Sequence, residues 1–482
     1  MDFKNIHSVY FLGIGGIGMS ALARYFKAMG KEVYGYDKTS TQLTDELIAE
    51  GIHVHFEEDA KYVQSLINNQ QLTINNSLIV YTPAVPKSHS EYVLFSDKLG
   101  FKIKKRAEVL GMITENSLTV AVAGTHGKTT TSSMIAHILK TAGIDCSAFL
   151  GGITQNYKTN LLLAKQPITD LFTEALAKGG NRQPITVVEA DEYDRSFLTL
   201  HPDVAVITSL DADHLDIYGD KKYMEESYSL FSNQVKTNGK LIVKKEITGL
   251  KSRNKAIYYS IKAETDYYAK NILIENGEYN YDVVASSEVI KKIILGIPGL
   301  HNVENSVAAI AAVKQLNVSN ENIKKALGSF KGVKRRFDYQ IKTKEIVFID
   351  DYAHHPEELR ACISSVREMY TGKKITGIFQ PHLYSRTRDF ADEFAKSLDL
   401  LDETILLDIY PARELPIEGI TSSMLLAKMS SKNKSLCSKK ELVNDISKRK
   451  IEVLLTLGAG DIDTLVAPLK KELMKRCSPH EA

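Results

Sequence analysis

Short apolar runs rich in β-branched residues alternate along this chain with stretches whose apolar positions fall three and four apart. The first pattern predicts buried strands and the second amphipathic helices. Their alternation predicts parallel α/β sheets, because a parallel strand pair needs a crossover connection, usually a helix. Three segments repeat the plan. In residues 1–112, HSVYFLGIG, KEVYGYD and NSLIVYTPAV read as strands and MSALARYFKAMG as a helix. In residues 113–337 the strands are LTVAVAG, PITVVEA, DVAVITSL and GKLIV, and the stretch 245–295 reads as a β-rich, tyrosine-bearing insertion. In residues 338–482 the strands are KEIVFID, KITGIFQ, ETILLDI and IEVLLTLG. The expected fold class is α/β with three domains: N-terminal Rossmann-like, central P-loop ATPase-like parallel sheet, and C-terminal Rossmann-like.

Length agrees, since 482 residues at roughly 150 per domain make three. A formal charge of +2 argues against a polyanion-binding surface, so no nucleic-acid partner is expected. Four cysteines (Cys146, Cys362, Cys437 and Cys477), with no C-x-x-C spacing, point to a reducing compartment. No run of about 18 apolar residues occurs, so no membrane span is predicted. The start, MDFKNIHSVYFLGIGG, lacks the basic flank and cleavage pattern of a signal peptide. A cytoplasmic protein is expected.

In open α/β sheets, ligands gather at the carboxyl ends of strands, and two glycine loops occupy such places. After LTVAVA come Gly124, Thr125, His126, Gly127, Lys128, Thr129 and Thr130, opening a helix-patterned stretch. Backbone N–H groups of such a loop cradle phosphate, a lysine reaches the terminal phosphates and a hydroxyl meets Mg2+. Lys128 and Thr129 are placed for those tasks, so ATP with Mg2+, or Mn2+ in its place, is expected. A strict P-loop would have glycine where this chain has Val122. Two further strand ends supply carboxylates: Glu189, Asp191, Glu192 and Asp194 after one, and Asp211, Asp213 and Asp216 with His214 after the other. One or two carboxylates suffice for Mg2+, which keeps several waters; Glu189 is the leading candidate. Nearer the start, Gly13, Gly15 and Gly18, with Asp37 about 20 residues on, form a dinucleotide fingerprint. Alone it would predict NAD and an oxidoreductase. A glycine loop at a helix N-terminus holds any diphosphate, however.

GTHGKTTT, EADEYDRSF, DHLD, GLHNVENSVAAI and GVKRRFD follow one another as they do in the Mur ligase family, which the chain resembles over nearly its whole length. The resemblance implies a ligase that spends ATP to convert a carboxylate into an acyl phosphate, which an amine then attacks. GIGGIGMSALA is especially similar to the alanine-adding branch, which implies UDP-N-acetylmuramate, L-alanine and ATP as partners. A monomer or homodimer away from membranes is expected. Gly13, Gly15, Gly16, Ile17, Gly18, Asp37 and Thr82 would then bind the UDP-sugar. His301, Asn302, Asn305 and Arg336 would join the second glycine loop on ATP, with Asp351 on its ribose. Tyr352 and His354 would face the reaction centre, and Tyr352, His382 and Arg386 would surround the amino acid. Lys128, Glu189, His214 and His354 become the catalytic candidates, with Thr129, Glu189 and His214 on metal. Either His354 or a nearby carboxylate would take the amine's proton. Leu383 stands where well-known members carry an arginine, and Ser227 and Tyr228 fall where several carry a carbamylated lysine. The competing readings are a muropeptide-recycling ligase, a folylpolyglutamate-type ligase, an NAD-dependent oxidoreductase and a nucleotide-binding regulator without turnover.

Overall fold

The computed structural model describes residues 3–165, 183–211, 218, 220–275, 278–412 and 414–476. Its contacts form two compact units. One comprises Met1–Lys270, Val283–Lys291 and Asn305–Leu327; the other comprises Asn271–Asp282, Lys292–Glu304 and Gly328–Ala482.

The first segment of the chain builds a five-stranded parallel sheet from β1 (Ser8–Leu12), β2 (Glu32–Tyr36), β3 (His53–His55), β4 (Ser77–Tyr81) and β5 (Ile103–Lys105), in the order β3-β2-β1-β4-β5. β1 and β4 are buried at every position. A central parallel strand is covered on both faces, which is why each reads as a continuous apolar run rather than an alternation. β3 and β5 are three-residue edge strands, HVH and IKK, too short and polar to stand out.

The second sheet contains β6 (Leu118–Ala123), β7 (Cys146–Phe149), β8 (Leu161–Leu162), β9 (Ile185–Glu189), β10 (Val204–Ile207), β11 (Lys240–Lys244) and β12 (Ala256–Ser260). β13 (Tyr267–Glu275), β14 (Glu278–Ala285) and β15 (Glu288–Leu295) follow. Its order is β15-β14-β13-β12-β11-β10-β6-β9-β7-β8. The expected β-rich insertion is thus β12 to β15. β6 lies between β10 and β9, so the ends of three parallel strands fall side by side. Val122, the departure from a strict P-loop, is a strand residue here, paired with Val206 and Glu189.

One apolar cluster runs from Phe11 and Phe26 through Val109 and Ile113 to Val188, Ile207 and Phe231. The rings of Tyr25 and Phe149 meet at 5.4 Å. The first two chain segments therefore share a core, which is why they form one unit.

The other unit is built on a six-stranded sheet ordered β16-β17-β21-β18-β19-β20: β16 (Asp338–Lys342), β17 (Val347–Asp351), β18 (Ile375–Phe379), β19 (Glu403–Leu406), β20 (Lys434–Leu436) and β21 (Val453–Leu457). All neighbours are parallel except β16 against β17. Among the described residues no helix is long and apolar enough to cross a membrane.

Candidate functional site

The second glycine loop leaves β6 and enters the helix Lys128–Thr141. Gly124 has φ +138°, and a Cβ there would come within 2.1 Å of Thr208 Oγ1, so only glycine fits. The loop is tied to the end of β10: His126 N–H donates to Ser209 Oγ at 2.7 Å, and the hydroxyls of Thr125 and Ser209 lie 2.8 Å apart. Lys128 folds back under the loop. Its ammonium donates to Gly124 O at 2.5 Å and to Glu192 Oε1 at 2.8 Å. Burial alone would lower its pKa; Glu192, Glu189 and Asp191 outweigh that, and the ammonium is held above its ordinary value. Thr129 and Thr130 are buried at the helix start. Asn305 reaches the same loop, with its Oδ1 3.4 Å from the Thr131 hydroxyl that donates to it.

The first glycine loop joins β1 to the helix Ile17–Ala28. Asp37 braces it from the end of β2, accepting Gly15 N–H at 2.7 Å. Thr82, from the end of β4, has its methyl against Gly13. The fingerprint glycines, Asp37 and Thr82 are thus brought together.

Between this loop and the end of β9 lies a cavity of about 160 Å³, lined by Gly18, Arg106, Phe149, Gly151, Glu189 and Asp191 among others. Glu189 accepts Gly151 N–H at 3.0 Å, and Gly151 leaves room for the carboxylate, since a Cβ there would stand 2.1 Å from its Oε2. Arg106 pairs with Asp191 at 2.9 Å, and its neighbour Lys105 with Asp194 at 2.7 Å. Three carboxylates of the EADEYDR segment are therefore matched to three cations. Among the described residues no group of three or more His, Cys, Asp or Glu side chains is arranged as a metal site. Thr129 and Glu189 nevertheless fit a magnesium ion, because they are hard oxygen donors and phosphate supplies the rest. His214 lies outside the described residues, as do Asp213 and Asp216.

The second unit gathers another set of expected residues. Asp351 ends β17 and its carboxylate accepts the N–H groups of Phe337 at 2.6 Å and Ala353 at 2.8 Å. Burial pushes its pKa up to about 6, against the pull of Arg336. The guanidinium groups of Arg335 and Arg336 each lie 5.1 Å from the centre of the Tyr352 ring. Burial, reinforced by Arg336, pushes His301 down to about 4, so it is neutral at pH 7. Asn302 is occupied at the start of its helix, donating to Pro298 O at 2.5 Å. His354 Nδ1 lies 3.1 Å from Tyr352 O and 3.2 Å from Glu358, contacts that place a proton on Nδ1 and leave Nε2 as the basic nitrogen. His382 stacks on Tyr410 and meets the edge of His354 at 6.0 Å. Arg386 is buried in the helix Tyr384–Asp389, which Leu383 enters with φ +71°. Asp389, the ion-pair partner that spacing offers Arg386, binds Arg388 at 2.7 Å.

Sequence reading did not single out Arg106 or Glu358 and named Glu192 only as one of several carboxylates. Arg106 follows a strand too short to recognise, and Glu358 meets His354 from the first turn of the helix Pro356–Met369, across the helix start.

Two glycine loops, each leaving a parallel strand and opening a helix, flank one set of strand-end carboxylates, an arrangement of the kind that α/β proteins use to hold phosphate groups. Family models narrow this: the Mur ligase family catalytic domain matches residues 8–117, the Mur ligase middle domain 122–313 and the Mur ligase glutamate ligase domain 335–462. The chain belongs to the Mur ligase family. It is 49% identical to a UDP-N-acetylmuramate–L-alanine ligase of Flavobacterium johnsoniae, over 98% of this chain and 99% of that one. A Parabacteroides distasonis protein of the same name is 49% identical over 99% of each chain. Among solved structures, a UDP-N-acetylmuramate–alanine ligase from Thermotoga maritima matches with a TM-score of 0.79 and 27% identity, covering 98% of this chain and all of that one. A murein peptide ligase from Psychrobacter arcticus shares the fold, with a TM-score of 0.72 at 22% identity over 98% of this chain and 100% of that one.

Proposed function

We propose that this protein joins L-alanine to the carboxylate of UDP-N-acetylmuramate and converts ATP to ADP and phosphate, a cytoplasmic step in building peptidoglycan. The observation that carries the reading is the cavity on which Gly18 of the first glycine loop and Glu189 and Asp191 beside the second converge. The names of the full-length relatives select alanine and the muramate among the ligands such a cavity could take.

Amide formation in water is uphill without activation, and transfer of the γ-phosphoryl group to the carboxylate supplies it. Lys128 would neutralise charge on the transferring group. Its bond to Glu192 holds the ammonium charged and pointed until phosphate takes that place. Thr129 and Glu189, with His214, would hold Mg2+, which contributes Lewis-acid stabilisation of phosphate charge. The first loop with Asp37 and Thr82 fixes the UDP end. Residues 1–112 would serve the nucleotide sugar, 113–337 ATP, and 338–482 the amino acid. His301, Asn302, Asn305, Arg336 and Asp351 would complete the ATP contacts. Tyr352, His382 and Arg386 would hold alanine, with Arg386 facing its carboxylate. His354 Nε2 is suited to accept the proton that the attacking amine releases.

ADP release is the test. It should require UDP-N-acetylmuramate and L-alanine together, and 18O placed in the muramate carboxylate should appear in the released phosphate. ADP release satisfied by a tripeptide but not by alanine would replace this reading with the recycling ligase. Failure of 18O transfer would remove the acyl phosphate.

A further inference from the structure

The geometry points to Arg106 as the cation that binds the diphosphate of the nucleotide sugar, held in reserve by Asp191 until that ligand arrives. This rests on the reading of the first glycine loop as a diphosphate cradle. It adds the residue that gives the loop a positive charge.

The first loop has no lysine or arginine of its own between Gly13 and Gly18. The second has Lys128. A diphosphate brings two negative charges into a cavity whose other charged side chains are the carboxylates Glu189 and Asp191. Without a cation, entry would be repelled. Arg106 is the basic side chain lining that cavity, and it is largely buried, its side chain 19% exposed.

Its approach to the loop depends on Gly18. A Cβ at that position would stand 2.9 Å from Arg106 Nη1, 3.1 Å from Cδ and 3.3 Å from Cζ. The third glycine of a dinucleotide fingerprint ordinarily serves close helix–strand packing. Here it makes room for a guanidinium instead. Nη2 donates to Asp191 at 2.9 Å, while Nη1 lies against Gly18 with no protein acceptor among the described residues. One edge of the fork is thus stored on a carboxylate and the other is offered to the loop. Guanidinium geometry suits bidentate phosphate binding, and exchanging Asp191 for phosphate would keep an acceptor on Nη2 and give Nη1 one as well.

Binding of UDP, UDP-N-acetylglucosamine and UDP-N-acetylmuramate to wild type, Arg106→Ala, Arg106→Lys and Asp191→Asn, measured by calorimetry, tests this. Arg106→Ala should weaken all three ligands roughly 10- to 100-fold, the worth of a charged hydrogen-bond pair, with ATP affinity and melting temperature unchanged. Arg106→Lys should recover part of the loss. Asp191→Asn should leave UDP binding unchanged or tighter, because it removes the competitor. If Arg106 only ties its helix to the end of β9, Arg106→Ala and Asp191→Asn will instead weaken UDP binding alike, and the proposal fails. If only the muramate weakens, Arg106 reads the lactyl carboxylate and the diphosphate assignment is wrong. If wild type binds none of the three, the reading of the first loop falls, and this inference with it.

Discussion

The loops Gly13–Gly18 and Gly124–Lys128 both leave a strand with parallel neighbours on each side and both enter a helix, yet they are braced in different ways. The second is rigidly walled: Gly124 is packed against Thr208, and hydroxyls from the end of β10 hold Thr125 and His126. It carries its own cation, already stabilised by Glu192. The first is braced by a single carboxylate, Asp37, and by Thr82, and the cation proposed for it, Arg106, lies outside the loop and is paired with Asp191. The difference matches two kinds of work. A loop that stabilises a developing charge must be preorganised, because any rearrangement adds to the barrier. A loop that only positions a ligand can let a borrowed side chain move.

Removing the internal cation should have the largest effect. Lys128→Ala should lower turnover by on the order of a thousandfold, while UDP binding stays as in wild type; equal losses in both would mean the two cradles are not separate. Next in size, Gly124→Ala should cost about 3 kcal/mol of stability through backbone strain and overlap with Thr208, read by denaturant unfolding. Gly18→Ala meets only a flexible arginine, so it should unfold almost as wild type yet raise the KM for the nucleotide sugar.

A fourth substitution probes how the first loop is supported from the second segment. Asn160 is fully buried, donates to Ile17 O at 2.6 Å and to Ser20 Oγ at 3.0 Å, and accepts from Arg24 at 2.6 Å. Asn160→Ala should cost about 1–3 kcal/mol by stranding those partners and raise the KM for the nucleotide sugar more than that for ATP.

The smallest effect concerns pH. Behind the first loop, Glu91 is fully buried and accepts from the Tyr10 hydroxyl at 2.6 Å and the Asp59 N–H at 3.0 Å. Burial pushes its carboxyl from the ordinary 4.5 up to about 7, against those hydrogen bonds. The folded protein keeps a proton that the unfolded chain has released, so the contribution of Glu91 to stability is greatest below 4.5 and declines as pH rises toward 7. Glu91→Gln should abolish that decline, and melting temperatures of the two proteins should diverge across this window. His301 has the opposite sign. Its pKa lies below that of the unfolded chain, so its contribution is intact above pH 6.5 and lost as pH falls toward 4. His301→Gln should relieve acid sensitivity in the second unit.

Much of this protein was legible as text. β1, β4, β6 and β21 announce themselves because a parallel strand buried on both faces reads as a near-continuous apolar run, broken here only by single buried hydroxyls. The turn through Gly124 and Gly127 into the helix that Lys128 opens could be read because the backbone conformation of a glycine turn is set by neighbouring residues. The strands β3 and β5 were not legible, since HVH and IKK gain their strand character from pairing with β2 and β4.

What only the tertiary structure decided is which charge answers which. Four acidic residues crowd the end of β9 and the segment after it, and nothing in their order says that Glu192 takes Lys128, Asp191 takes Arg106 and Asp194 takes Lys105 while Glu189 turns to the Gly151 amide. Those partners come from 38 to 89 residues away. Electrostatic pairing and burial act through space, so they belong to the packed chain, whereas strand runs and glycine turns are set by short-range sterics and were already present in the sequence.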